Sequence, residues 1–121
     1  MSKTVEIRKA VYGLLSEVYS GCYYRKAPAD AQMPYVVYSI GNYGPAAYLK
    51  LDIWDNATDS TSVENLADQF ETALHRLTFS NSELMVSFLF ERDRQQLPDE
   101  DRSLTHLVEN FSMKYYGKEE I

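Results

Sequence analysis

Between Ala46 and Trp54 the chain reads AAYLKLDIW, and its side chains alternate from Ala47 on without a break. Ala47, Leu49, Leu51 and Ile53 share one face of an extended strand; Tyr48, Lys50, Asp52 and Trp54 share the other. A period of two this strict specifies a sheet with one face on a core and one face elsewhere. What covers the apolar face then decides the fold.

Two helical stripes are available for that cover. Residues 4–19 space Ile7, Ala10, Val11, Leu14, Leu15 and Val18 along one face, with Thr4 as cap, Glu6 in the first turn and Ser20-Gly21 as terminator. A second helix opens at Thr61-Ser62-Val63-Glu64, which fits a capping box. Its stripe is Val63, Leu66, Ala67, Phe70, Ala73, Leu74 and Leu77. Further strands are expected at Cys22–Lys26, at Tyr35–Asn42 between Pro34 and the turn cluster at 41–45, at Leu84–Arg92 and at Leu104–Tyr116. Val86, Phe88 and Phe90 should face inward. Residues 93–103, DRQQLPDEDRS, read as a charged loop, and 118–121 as a tail. The order helix, three strands, helix, two strands predicts one α+β domain over residues 1–121. Its sheet should be mostly antiparallel, of about five strands, with two helices packed on one face.

Composition removes several functional classes. With 121 residues, 45% hydrophobic and 25% charged, the chain matches a single globular domain. No apolar run approaches the ~18 residues of a membrane span. The opening MSKTVEIRKAVYGLL reads as a helix rather than an export signal. A single cysteine, Cys22, allows no internal disulfide and points to a reducing compartment. A net charge of −6, with twelve scattered Lys and Arg, opposes tight nucleic-acid binding.

No catalytic motif is present. His75 reads as a solvated helix residue, His106 as a half-exposed strand residue and Cys22 as a small buried hydrophobe. The acidic spacing Asp52, Asp55, Asn56, Asp59 lacks the oxygen ladder and central glycine of a calcium loop. No enzyme activity, cofactor or metal is expected. The aromatic content is the stronger signal: ten tyrosines, with Tyr48 and Trp54 on the face away from Leu49 and Leu51. Either a loop packs over these rings or they form a protein–protein surface, where Tyr and Trp are enriched. An uncovered sheet face and open edges are seldom left bare. The expected interface residues are Tyr48, Lys50, Asp52 and Trp54, joined on the charged loop by Arg92, Arg94, Asp99, Glu100, Asp101 and Arg102.

Nearly the whole chain resembles the small tail-terminator, or tail-completion, proteins of bacteriophages with long non-contractile tails. The likeness rests on the helix IRKAVYGLLSEV, the segment CYYRKAPADAQMPYVVY, the strand LKLDIWDN, the helix SVENLADQFETALHRL and the closing LVENFSMKYYGKEE. It implies an α+β fold and a ring, commonly of six subunits, that caps the tail tube and joins it to the head. The implied partners are copies of itself, the major tail tube protein and a head-completion or neck protein, with DNA passing through unbound and no membrane contact. The implied location is the virion tail, reached from the host cytoplasm. A small cytoplasmic ligand-binding or regulatory module, or another neck component, is the alternative.

Overall fold

The computed structural model describes residues 3–41, 47–56, 60–97 and 104–117. The elements are α1 (Lys3–Val18), β1 (Cys22–Tyr24), β2 (Tyr35–Gly41), β3 (Tyr48–Asp55), α2 (Thr61–Leu74), β4 (Thr78–Ser80), β5 (Leu84–Leu97) and β6 (Thr105–Gly117). The fold is α+β, as the sequence predicts. Its sheet has six strands in the order β1-β2-β3-β6-β5-β4. It is mixed, because β1 lies parallel to β2 while every other pairing is antiparallel.

The alternation does what its period requires. Leu49, Leu51 and Ile53 of β3 are fully buried beside Val36 and Tyr38 of β2 and Leu107, Phe111 and Met113 of β6. Ile7, Val11 and Leu15 of α1 and Val63, Leu66, Ala67, Phe70 and Leu74 of α2 close over them. Burying a large apolar side chain of this kind stabilises by roughly 1.5–3 kcal/mol, so one helix-covered face holds most of the hydrophobic driving force.

Several local expectations are corrected. The capping box fails by one residue: Ser60, not Thr61, is the N-cap of α2, and its side chain makes no cap bond. Ser62, two residues after the N-cap, gives its hydroxyl to Asp55, whose other oxygen accepts the Asn56 amide at 2.8 Å. The buried Asp55 carboxylate thus ties the end of β3 to the start of α2. The helix stops at Leu74, so Ala73 is exposed and Leu77 packs on the core from outside the helix. No described glycine has a positive φ; Arg25 and Arg76 occupy that region instead. Gly21 is needed for close approach, since a methyl there would strike the Tyr19 ring. The turn cluster at 42–45 lies outside the described residues.

The largest correction concerns 93–103. Strand β5 continues to Leu97, so residues 93–97 are sheet, not loop. A register shift between Phe90 and Asp93 marks the bulge that breaks the expected pattern. Beyond it Asp93, Arg94, Gln95, Gln96 and Leu97 oppose Asn110, Glu109, Val108, Leu107 and His106 of β6. The strand called β4 was not foreseen. Phe70 is the largest wholly buried side chain of α2, and Phe70→Ala should lower unfolding free energy by roughly 3–5 kcal/mol. Urea denaturation followed by circular dichroism checks this.

Candidate interaction surface

Cross-strand partners share a face, so the register defines what the helix-free side presents. One row runs Tyr35, Trp54, His106, Leu97 across β2, β3, β6 and β5. Tyr23 of β1, opposite Val37 in the neighbouring row, lies edge-on to Tyr35 at 6.3 Å. The next row is Val37, Asp52, Val108, Gln95, and the third is Ser39, Lys50, Asn110, Asp93. The fourth is Gly41, Tyr48, Ser112, Leu89. Tyr48, Lys50, Asp52 and Trp54 therefore do stand together on the face opposite the helices.

The first two rows hold a compact polar–aromatic cluster. The His106 ring stacks on Trp54 with centroids 3.7 Å apart and planes 10° off parallel. Its Nε2 meets Asp52 Oδ1 at 2.7 Å, and Lys50 Nζ lies 3.9 Å from Asp52 Oδ2. The His106 side chain is only 11% exposed, so the half-exposed reading is corrected. The cause is Trp54 lying over it. Among the described residues, His106 meets the Trp54 ring and the Asp52 carboxylate, and these contacts hold two aromatic rings in a fixed pose.

Farther along the face, apolar surface is open. Tyr48, Leu89 and Tyr116 are 40%, 45% and 49% exposed. The Tyr48 ring lies across Gly41, where a methyl group would collide with it. Tyr48, Asp93, Asn110, Ser112 and Lys114 help line a shallow cavity of about 230 Å³. Asn110 donates to Asp93 there at 3.0 Å.

The remaining predicted residues are placed differently. Arg94 points to the helix side. Its guanidinium contacts Glu109 Oε2 at 2.8 Å, Asp68 Oδ1 at 2.7 Å and Glu71 Oε2 at 3.0 Å. Arg94 therefore clamps β5 to α2 and β6 within the chain. Arg92 lies in β5, and Asp99, Glu100, Asp101 and Arg102 lie outside the described residues. Asp52 and Asp55 face opposite sides of β3 and so share no site; Asp59 is outside the described residues. Among the described residues no group of His, Cys, Asp and Glu is arranged to hold a metal, and no described helix is long and apolar enough to cross a membrane.

Two polar residues escaped the sequence reading. His75 is the C-cap of α2, and its Nδ1 accepts the Phe90 amide at 2.9 Å, so it is a structural acceptor rather than a solvated residue. Glu109 is fully buried between Leu107 and Phe111. Burial pushes its carboxyl up to about 7, the two bonds from Arg94 oppose this, and the nearby Glu71 and Asp68 charges add to it. A gap in the apolar alternation of β6 was the available signal. Cys22 is buried as expected; burial pushes its thiol up to about 12.

The class these observations define is a two-layer α+β domain with one sheet face under helices and the other open and aromatic. No protein-family model matches the sequence, and no curated protein is similar to it. A chain in a solved structure, "Virion of native gene transfer agent (GTA) particle", has a similar fold, with a TM-score of 0.56 at 16% identity. The match spans 84% of this chain and 83% of that one. At such identity the likeness is one of fold.

His106→Ala removes both the ring under Trp54 and the bond to Asp52. It should cost roughly 1–3 kcal/mol and change the intrinsic fluorescence. Trp54 is the single tryptophan, so its emission reports this spot alone. A second expectation concerns Glu109. Its raised folded-state pKa means that its contribution to stability is complete below the ordinary carboxyl range and is lost as pH rises through about 7. Glu109→Gln stays neutral throughout. Its stability relative to the parent chain should therefore improve between pH 5 and pH 8, by roughly 1–3 kcal/mol, in parallel denaturation curves.

Proposed function

We propose that the chain is a structural component of a phage-like virion, acting at the end of the tail tube. Copies assemble there into a ring that caps the tube and joins tail to head. The observation that carries this reading is the helix-free sheet face. Tyr23, Tyr35 and Trp54 lie along it, Tyr48, Leu89 and Tyr116 are exposed on it, and a polar cluster holds the Trp54–His106 pair rigid. Rigid aromatic area with polar tips suits a protein–protein contact, because little side-chain entropy remains to be lost on association. The fold shared with a chain of the gene transfer agent virion supports placing that contact in a particle. The tail-end station follows from the sequence resemblance.

This reading asks no catalysis of the chain and assigns no cofactor. The partners are other copies of itself in a ring, six by the resemblance, together with the tail tube protein and a neck protein. The acidic balance of −6 suits a bore through which DNA passes without adhering. The finished site of action is the virion tail, and the host cytoplasm is where assembly takes place.

Sedimentation velocity over rising concentration, with purified tail tubes added in a second series, tests the proposal. Closed oligomers, or subunits captured at tube ends, are the expected result, with rings visible by negative stain. Tyr48→Glu combined with Leu89→Glu changes only exposed positions. It should leave the circular dichroism spectrum unchanged while weakening association at least about tenfold. A chain that stays monomeric in both series overturns the reading.

A further inference from the structure

Two arginines are unusual in so acidic a chain. Arg8 of α1 and Arg25, just after β1, each hold the guanidinium carbon 5.2 Å from the centroid of the same Tyr24 ring. Among the described residues no carboxylate lies within ion-pair distance of either one. Tyr24 is braced by the buried Tyr38, 5.4 Å away. Arg25 is held at φ 64°, with its amide donating to the Tyr38 carbonyl at 2.9 Å. With Thr4 and Val5 these side chains line an open cavity of about 370 Å³. Two like charges on one ring repel each other, and an anion entering the cavity that both line would ease that repulsion.

The opposite charge lies on another flank. Glu64, Asp68 and Glu71 recur along α2 at helical spacing, and Asp68 is 64% exposed. Arg94 serves Asp68, Glu71 and Glu109 together, so one cation answers three carboxylates. Beneath it the second oxygen of the fully buried Glu109 has no hydrogen-bond partner. Among the described residues, Glu64 accepts the Gln96 amide at 3.0 Å and is in no ion pair. The flank is short of positive charge by about what the Arg8–Arg25 corner has to spare. In the sheet, β2, β3 and β6 separate β1, which leads to Arg25, from β5, which carries Arg94.

We propose that the Arg8–Arg25 corner of one copy docks on the Glu64–Asp68–Glu71 face of a second copy, head to tail. The inference rests on the ring reading and names the two surfaces that close it. Guanidinium forks are shaped for carboxylate pairs, which gives the contact direction as well as attraction. Unlike patches on different flanks make a heterologous contact, the kind that closes by rotation.

The test is a charge swap on the full chain. Arg8→Glu/Arg25→Glu carries two acidic surfaces, and Glu64→Lys/Asp68→Lys carries two basic ones while leaving Glu71 and Glu109 on Arg94. Circular dichroism confirms that both variants fold. Each alone should associate at least about tenfold more weakly than the parent chain in sedimentation velocity, and an equimolar mixture should regain assembly. Raised salt should weaken the parent oligomer. If the parent chain forms rings and both variants form them equally well, this contact is wrong and the ring reading stands. If the parent chain never associates, with or without tube ends, the ring reading fails and takes this contact with it. If Arg8→Glu/Arg25→Glu leaves the oligomer intact but abolishes binding of a duplex oligonucleotide, the corner serves nucleic acid and the proposal is overturned.

Discussion

A sheet has two faces, and this chain supplies helices for one of them. The consequences run through the whole molecule. On the covered side, Leu49, Leu51, Ile53, Leu107 and Phe111 reach complete burial under α1 and α2. On the other side the chain uses its own rings as partial cover. Trp54 lies over His106, Tyr48 over Gly41, and Tyr23 meets the edge of Tyr35. Aromatic side chains can do this because they are long enough to lie along the strands and rigid enough to stay there. The cover is incomplete, and Tyr48, Leu89 and Tyr116 remain open to solvent.

The parts of the fold that were legible in the sequence are those set by local period. The two stripes and the alternation of β3 depend only on neighbouring residues, and α1 and the central strand fall within a residue or two of expectation, while α2 ends three residues before Leu77. The rest depends on long-range pairing. Strand β4 is three residues, Thr78–Ser80, and exists because it pairs with Met85–Ser87. The outer half of β5 has no apolar alternation to read. A bulge displaces its register, and its inward positions Arg94 and Gln96 meet carboxylates of α2 instead of a core. Tyr48, Lys50, Asp52 and Trp54 were placed correctly on a common face because parity suffices for that. The pairing of His106 with Trp54 required knowing which residue of β6 lies opposite which residue of β3, and no local pattern carries that information.

The β5–β6 hairpin is held on both faces by polar contacts, and the two serve different ends. On the helix side the buried Glu109 and Arg94 bind the hairpin to α2. Desolvation offsets much of what such a buried pair gains, so its main effect is to fix position. On the open side His106 and Asp52 join β6 to β3 near the same end of the hairpin. With both faces tied, the open surface around Trp54 cannot shift as a flap. A surface that holds its shape before association loses less entropy on contact, which favours recognition by shape over induced fit.

The distribution of charge adds direction to that surface. An aromatic face alone is indifferent to which way a neighbour approaches, and it could pair with itself about a two-fold axis. Unlike charges on different flanks remove that freedom. In the proposed head-to-tail contact, a copy whose flank meets the corner of the next leaves that next copy's own flank unsatisfied, so such association would continue until rotation brought the copies back on themselves. Under that proposal a helix-free sheet face and a split charge pattern would act together: the first would make contact favourable, and the second would make it propagate in one sense.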